Sequence, residues 1–431
     1  MRSRSPRILM TGSSLIFSAR LVHDLGRRGA WVTAADSKRF SAGKASRFVS
    51  HRLLLPPMPR DPGRYLDALI SELRRQPYDM LLPTFEESLL LAEYQHELRP
   101  YTRLFLPAFS DIDRLHHKPS LHRLCLTLGV PSPNTVIVHD PELLDHQTAN
   151  MAFPVVVKLP DGNNSAGRTF CEDRSQLKTS FARVAAERTS RGQSVPFVQQ
   201  KIDGDLVCTL CFCDSGRKLA EVVYQSLRTL PDTGGTSVHR RSIVHTEIAR
   251  ITDRLIAHCN WSGFLGFDFL IDRTTGIPYL IDANVRANPA IHLGYCSGLD
   301  WTQLIFDLCA DKRPNPQVAT AGINVHTALF DIIWMLEGLL PHTKGDRGFL
   351  RRVREFVSPD WAVHSRGDLL ATGEFASSTV LGMQSIWSGL QSLVVGRTPG
   401  ELMLDHACYD TSAMAKLRQE RSNATRERRA A

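Results

Sequence analysis

The segment Gly263–Pro289 (GFLGFDFLIDRTTGIPYLIDANVRANP) constrains this chain more than any other, because two apolar runs flank a turn at Arg273–Gly276. Such a pattern predicts an antiparallel hairpin. Asp268 and Asp282 each lie seven residues from position 275, so a hairpin centred there sets them opposite one another. Period-two alternation then puts Asn284 and Arg286 on the face of Asp282. Two carboxylates on facing apolar strands repel unless a cation lies between them. With an amide oxygen they make a hard-oxygen set that suits Mg²⁺. Solvent-facing acids beside a turn are the competing reading.

The first hundred residues alternate between the two periods of regular structure. Strands are expected at Arg7–Thr11, Trp31–Ala35 and Met80–Leu82, and helices at Leu15–Gly29, Arg64–Arg75 and Glu86–Leu98. This order predicts a parallel, doubly wound sheet. The first turn is Gly12-Ser13-Ser14 and Asp36 ends the second strand, but GxGxxG is absent. A Rossmann-like unit without a dinucleotide is therefore expected over an NAD site. Thr84-Phe85-Glu86-Glu87 follows the third strand, at the usual ligand edge of a parallel sheet. Glu86 could recognise a substrate amine there, or Thr84 and Glu87 could simply cap a helix.

From Phe109 the pattern changes. One helix, Asp113–Leu128, is expected to carry Lys118, and an apolar strand, Phe153–Leu159, ends near Lys158. The loop 161–168 (DGNNSAGR) could close backbone N–H groups over phosphate oxygens. Phe197–Ile202 reads as a strand whose end could meet an adenine edge, with Asp205 placed to accept ribose hydroxyls. Helix Ile248–Cys259 precedes the hairpin. The stretch 230–241 (LPDTGGTSVHRR) reads as a substrate loop: Gly234 and Gly235 permit close approach, while Ser237, His239, Arg240 and Arg241 could grip a carboxylate. An exposed glycine turn with basic flanks explains it nearly as well.

Taken together, Lys118, then Lys158 with its loop, Gln-Gln-Lys-Ile-Asp-Gly-Asp at 199–205, and Asp268 with Asp282-x-Asn284-x-Arg286 resemble the ATP-grasp superfamily. Its carbamoyl-phosphate-synthetase and biotin-carboxylase branch, with the amino-acid ligases, is the nearest in flavour. The resemblance covers about residues 1–310. It implies mixed α/β and α+β architecture: a Rossmann-like pre-ATP-grasp domain over 1–108, an ATP-grasp domain over 109–320, a mostly helical region over 321–415, and a basic disordered tail over 416–431. It further implies that Lys118, Lys158, Ser165, Gln200, Lys201, Ile202 and Asp205 bind ATP. Asp268, Asp282 and Asn284 would bind Mg²⁺, for which Mn²⁺ could substitute, and Arg286 and Lys158 would serve catalysis. The implied activity joins a carboxylate to an amine through an acyl phosphate. Bicarbonate activation and a non-catalytic ATP-binding regulator are the alternatives. The family usually has Glu where Asp268 and Asp282 stand, and an acid where Gln200 stands.

Charge and cysteine content narrow the partners. The net charge is +8, but Arg2, Arg4 and Arg7 supply +3 and the residues from Lys416 onward a further +4, so the body is almost neutral. A basic groove for nucleic acid is thus not expected. Nine scattered cysteines without CxxC, and no apolar run after the basic Met1–Arg7, are consistent with a reducing cytoplasm. The 22 residues Phe375–Gly396 carry no charge, yet eight are Ser, Thr or Gln. A helix packed on the body or on a partner fits them better than a membrane span. Small-molecule carboxylate and amine substrates are the expected partners, with a homodimer left open.

Overall fold

The computed structural model describes residues 5–161, 168–190, 193–230, 235–337, 348–357, 365–367, 373–395 and 399–430. Strands β1 (Arg7–Met10), β2 (Trp31–Asp36), β3 (His51–Leu54), β4 (Met80–Leu82) and β5 (Arg103–Leu104) form a parallel sheet in the order β3-β2-β1-β4-β5. Ile8, Leu9 and Met10 of the central strand have no exposed surface, because helices cover both faces. The turn after β1 needs Gly12, whose φ is +65° and where a Cβ would sit 2.8 Å from Thr84 Oγ1.

A four-stranded antiparallel sheet follows, formed by β6 (Thr135–Val136), β7 (Val155–Lys158), β8 (Thr169–Cys171) and β9 (Phe197–Gln200) in the order β6-β9-β7-β8. The third sheet is the largest. It comprises β10 (Gly204–Asp214), β11 (Arg217–Leu230), β12 (Thr236–Ile243), β13 (Gly263–Asp272), β14 (Pro278–Asn284), β15 (Gln317–Val318), β16 (Asn324–His326) and β17 (Ser365–Gly367). Its order is β14-β13-β10-β11-β12-β16-β17, with β15 on β11.

Alternation along β10 divides the core. Val207, Cys211 and Cys213 join Leu265 and Phe267 under helix Thr246–His258, whereas Cys208, Leu210 and Phe212 join Phe264 under helices Ala290–Cys296 and Trp301–Cys309. Cys208, Cys211 and Cys213 are free thiols split between the two faces, so the three do not converge.

Three sequence expectations differ from the structure. The single helix at Asp113–Leu128 is two, Phe109–His116 and Lys118–Leu128, broken at His117, which is extended. Pro119 in the first turn of the second helix accounts for the break, since it has no N–H to continue the first helix and is well placed to start a new one. The segment read as a substrate loop is strand β12 from Thr236, paired with β11. The tail expected to be disordered from 416 is instead helix Thr411–Ala430. Met414 and Leu417 are buried against the first domain, and Arg418 donates to Glu93 at 2.6 and 2.9 Å while Arg421 meets Asp67 and Glu97. Two of the basic residues that suggested a solvated end, Arg418 and Arg421, are thus matched by acids of the body. Among the described residues no helix is long and apolar enough to cross a membrane.

Candidate active site

The hairpin of β13 and β14 places Asp268 directly opposite Asp282 and Asn284 opposite Gly266. Asn284 Nδ2 donates to Asp268 Oδ2 at 3.1 Å, which leaves the amide oxygen as its other polar atom. A Cβ at position 266 would lie 2.8 Å from Asn288 Nδ2 and 2.9 Å from Thr209 O, so this glycine lets the loop after β14 fold down beside the acids. Burial, and then the neighbouring charge of Asp282, push the Asp268 carboxyl up to about 6. Asp282 is partly neutralised, because Lys118 Nζ lies 3.1 Å from its Oδ1. Lys118 reaches it from the helix start created by the break at His117.

Lys158, at the end of β7, donates to Gln199 Oε1 at 2.6 Å, and Gln199 Nε2 donates to Thr135 Oγ1 at 2.9 Å. Burial pulls this ammonium down to about 8. Asp282 and Asp268 oppose the shift, while Lys118 and Arg168 add to it. Two lysines and two aspartates thus share one electrostatic neighbourhood. Among the described residues no three His, Cys, Asp or Glu side chains gather to hold a metal; the oxygen set available here is two carboxylates and one amide. That set fits Mg²⁺, which accepts few protein ligands and keeps water and phosphate for the rest.

Arg286 lies over the ring of Phe85 at 4.5 Å, donates to Ala287 O at 3.1 Å, and has Nε 3.9 Å from Glu86 Oε1. Glu86 is 1% exposed, and its Oε2 accepts the Tyr409 N–H at 2.7 Å. Helix capping belongs instead to Glu87, which accepts from the N–H groups of Thr84 and Phe85 and from Thr11 Oγ1. The two readings of the Thr84–Glu87 segment therefore separate: Glu87 caps, and Glu86 faces Arg286.

The remaining expected site residues scatter in role. Gln200 ends β9, and its N–H donates to Asn134 O. Lys201 points its ammonium at Phe170 and Glu172, and Ile202 is half-buried in the link to β10. Asp205 is taken by Arg273, which donates to it at 3.2 and 2.9 Å. Ser237 and His239 lie on β12, where Ser237 accepts from Ser226 Oγ at 2.7 Å and burial drives the His239 imidazole down to about 3. Arg240 has 0% exposure and donates to Ser237 O, Pro289 O and Thr327 Oγ1 at 3.0, 2.7 and 2.7 Å. It ties β12 to the loop after β14. Gly235 immediately precedes β12, and Ser165 and Gly234 lie outside the described residues.

At the edge of the first sheet, Asp36 accepts from the N–H groups of Ser14 and Lys38, and His406 Nε2 lies 3.6 Å from it while bonding Ser14 Oγ at 2.7 Å. The chain's own C-terminal segment thus packs against that acid. Sequence reading missed Gln199, Arg168, His116 and Tyr409. Arg168 carried a cue, a basic residue closing the stretch read as a phosphate loop. His116, buried beside Lys118 and pushed down to about 4, and Tyr409, 323 residues from Glu86, carried none.

No protein-family model matches the sequence, and no curated protein matches it. Solved structures do. The biotin carboxylase domain dimer of Hydrogenobacter thermophilus 2-oxoglutarate carboxylase, in complex with MgADP, ADP and bicarbonate, aligns with a TM-score of 0.60 at 15% identity, over 74% of this chain and 73% of that one. L-amino acid ligase from Bacillus licheniformis aligns with a TM-score of 0.56 at 16% identity, over 72% and 76%. Phosphoribosylamine–glycine ligase from Thermotoga maritima aligns with a TM-score of 0.58 at 13% identity, over 74% and 78%. At these identities the likeness is one of fold. That fold is the ATP-grasp fold, as the order of motifs implied.

Proposed function

We propose that this chain is an ATP-dependent carboxylate–amine ligase. The observation that carries the reading is the contact of Lys118 with Asp282, opposite Asp268 and within the field of Lys158. Asp268, Asp282 and Asn284 would hold Mg²⁺, and Lys118 and Lys158 the phosphates of ATP. When bound, Mg²⁺ would neutralise charge on the phosphates and keep them in line for transfer. A substrate carboxylate oxygen attacks the γ-phosphorus, the bond to the bridging oxygen breaks, and ADP leaves. The amine then attacks the carbonyl carbon of the acyl phosphate, phosphate departs, and the nitrogen gives a proton to solvent. Arg286, held beside Phe85 and Glu86, supplies positive charge where these oxygens become anionic.

The test is release of ADP and phosphate by the full chain with Mg²⁺, screened over pools of amino acids, small carboxylic acids with amines, and bicarbonate. Stimulation by a carboxylate–amine pool is the expected result. Stimulation by bicarbonate alone would move the reading to a carboxylase, and ATP binding without turnover in any pool would leave a regulator.

The pH dependence follows from two groups. Below about 6 Asp268 is protonated, because burial and Asp282 raise it, and a protonated carboxyl cannot take a cation. Above about 8 Lys158 loses its charge, because burial lowers it, and its hold on phosphate goes with it. kcat/KM reports the free protein, so its profile should be bell-shaped, with limbs near about 6 and about 8. A profile flat from pH 5 to 9, read by initial rates of phosphate release, would contradict this assignment.

A further inference from the structure

The helix Phe375–Val395 is amphipathic the wrong way round for one that faces water. Its inward face is Ser377, Leu381, Ser385 and Ser388, all buried, with Leu381 against Ala19 and Ala42 of the first domain. Gln384 Nε2 donates to Phe40 O at 3.0 Å and pins the same side. The outward face is Met383, Ile386, Trp387, Leu390 and Val394, every one exposed; Ile386 is 63% and Trp387 62% accessible. A monomer seldom leaves so continuous an apolar stripe in water.

We infer that this stripe is a two-fold interface that joins two copies of the chain through antiparallel pairing of their Phe375–Val395 helices. The spacing selects a second copy. The exposed positions 383, 386, 387 and 390 are symmetric about a point between Ile386 and Trp387, as are Thr379 and Val394. A dyad through that point sets Ile386 against the partner's Trp387, Met383 against the partner's Leu390 and Thr379 against the partner's Val394. Steps of three and four residues along the stripe are those of a helix–helix seam. An isologous contact meets its own surface, so a charge near the axis would face itself; this helix has no charged residue at all. The five side chains expose roughly 600 Å² per copy, close to the ~800 Å² per partner of a stable interface. A lipid surface fits less well. Interfacial helices set Lys and Arg on their polar side, whereas this helix has neither and its polar side is occupied by protein.

The inference is independent of the catalytic reading, and light scattering on the full-length protein at micromolar concentration tests it. The expected mass is twice the 48.2 kDa of one chain. Met383→Lys should weaken association at least about 100-fold and give the single-chain mass, because it buries an unpaired charge. Adding Leu390→Glu to Met383→Lys should restore the dimer, since each Lys then meets a Glu across the dyad at two places. A wild-type monomer overturns the inference, as does a dimer that survives Met383→Lys or a double variant that stays monomeric. Wild-type monomer that sediments with phosphatidylcholine–phosphatidylserine vesicles would assign the stripe to membrane.

Discussion

Asp282→Ala should lower Mg²⁺-dependent ADP release by about a thousandfold or more, because both the cation and the phosphates lose their shared anchor. Asp282 is the one acid here that touches a lysine and also faces the second acid. Its loss leaves Lys118 without the oxygen at 3.1 Å and leaves a potential cation with one carboxylate in place of two. The pH profile of the residual activity should move as well. Asp282 raises both the Asp268 carboxyl and the Lys158 ammonium, so removing it lowers both limbs together. The carboxylate is more than a quarter exposed, so thermal unfolding should change little. A loss of activity below tenfold, with the fold intact by circular dichroism, would remove Asp282 from the metal site and undercut the ligase reading.

The pairing of Asp268 with Asp282 was legible because both acids lie equally far from a turn between two apolar runs. The structure reaches it by a slightly different route. Ile271 pairs with Pro278, half a residue away from a hairpin centred on 275, and an irregularity between Asp268 and Phe269 restores the register at the acids. Lys158 was legible as the end of an apolar strand, whereas Lys118 was read inside one helix and begins the second of two. Strand β12 was not, since Gly234-Gly235 and the charges of Arg240 and Arg241 resemble a loop, while what makes the strand is pairing with β11 across the sheet. Arg240 shows the same limit: nothing local distinguishes a guanidinium that grips a substrate from one that holds Pro289 O and Thr327 Oγ1. Residues after 320 were the least legible, because their fit depends on surfaces several hundred residues earlier, as with Arg418 on Glu93 and His406 at Asp36.

That distant packing makes Glu86 the second position with a large expected effect. Glu86→Ala should cost about 3–5 kcal/mol of stability, the usual penalty for removing one partner of a buried pair, since Arg286 would keep its charge without an acid and the Tyr409 N–H would lose its acceptor. Turnover should fall about a hundredfold through mispositioning of Arg286. Glu86→Gln separates the two contributions. It retains an oxygen for the Tyr409 N–H but no charge for Arg286, so the C-terminal segment should stay as resistant to limited proteolysis as in the wild type while kcat still falls. The amine-recognition role read from the sequence makes the opposite forecast: KM for the amine would rise in both variants with kcat preserved. Glu86 is 1% exposed, with one carboxylate oxygen accepting the Tyr409 N–H and the other 3.9 Å from Arg286, which argues against an amine there. Its place instead brings Arg286 and the C-terminal segment at Tyr409 to one buried carboxylate, so the two variants test whether docking of that segment and turnover move together.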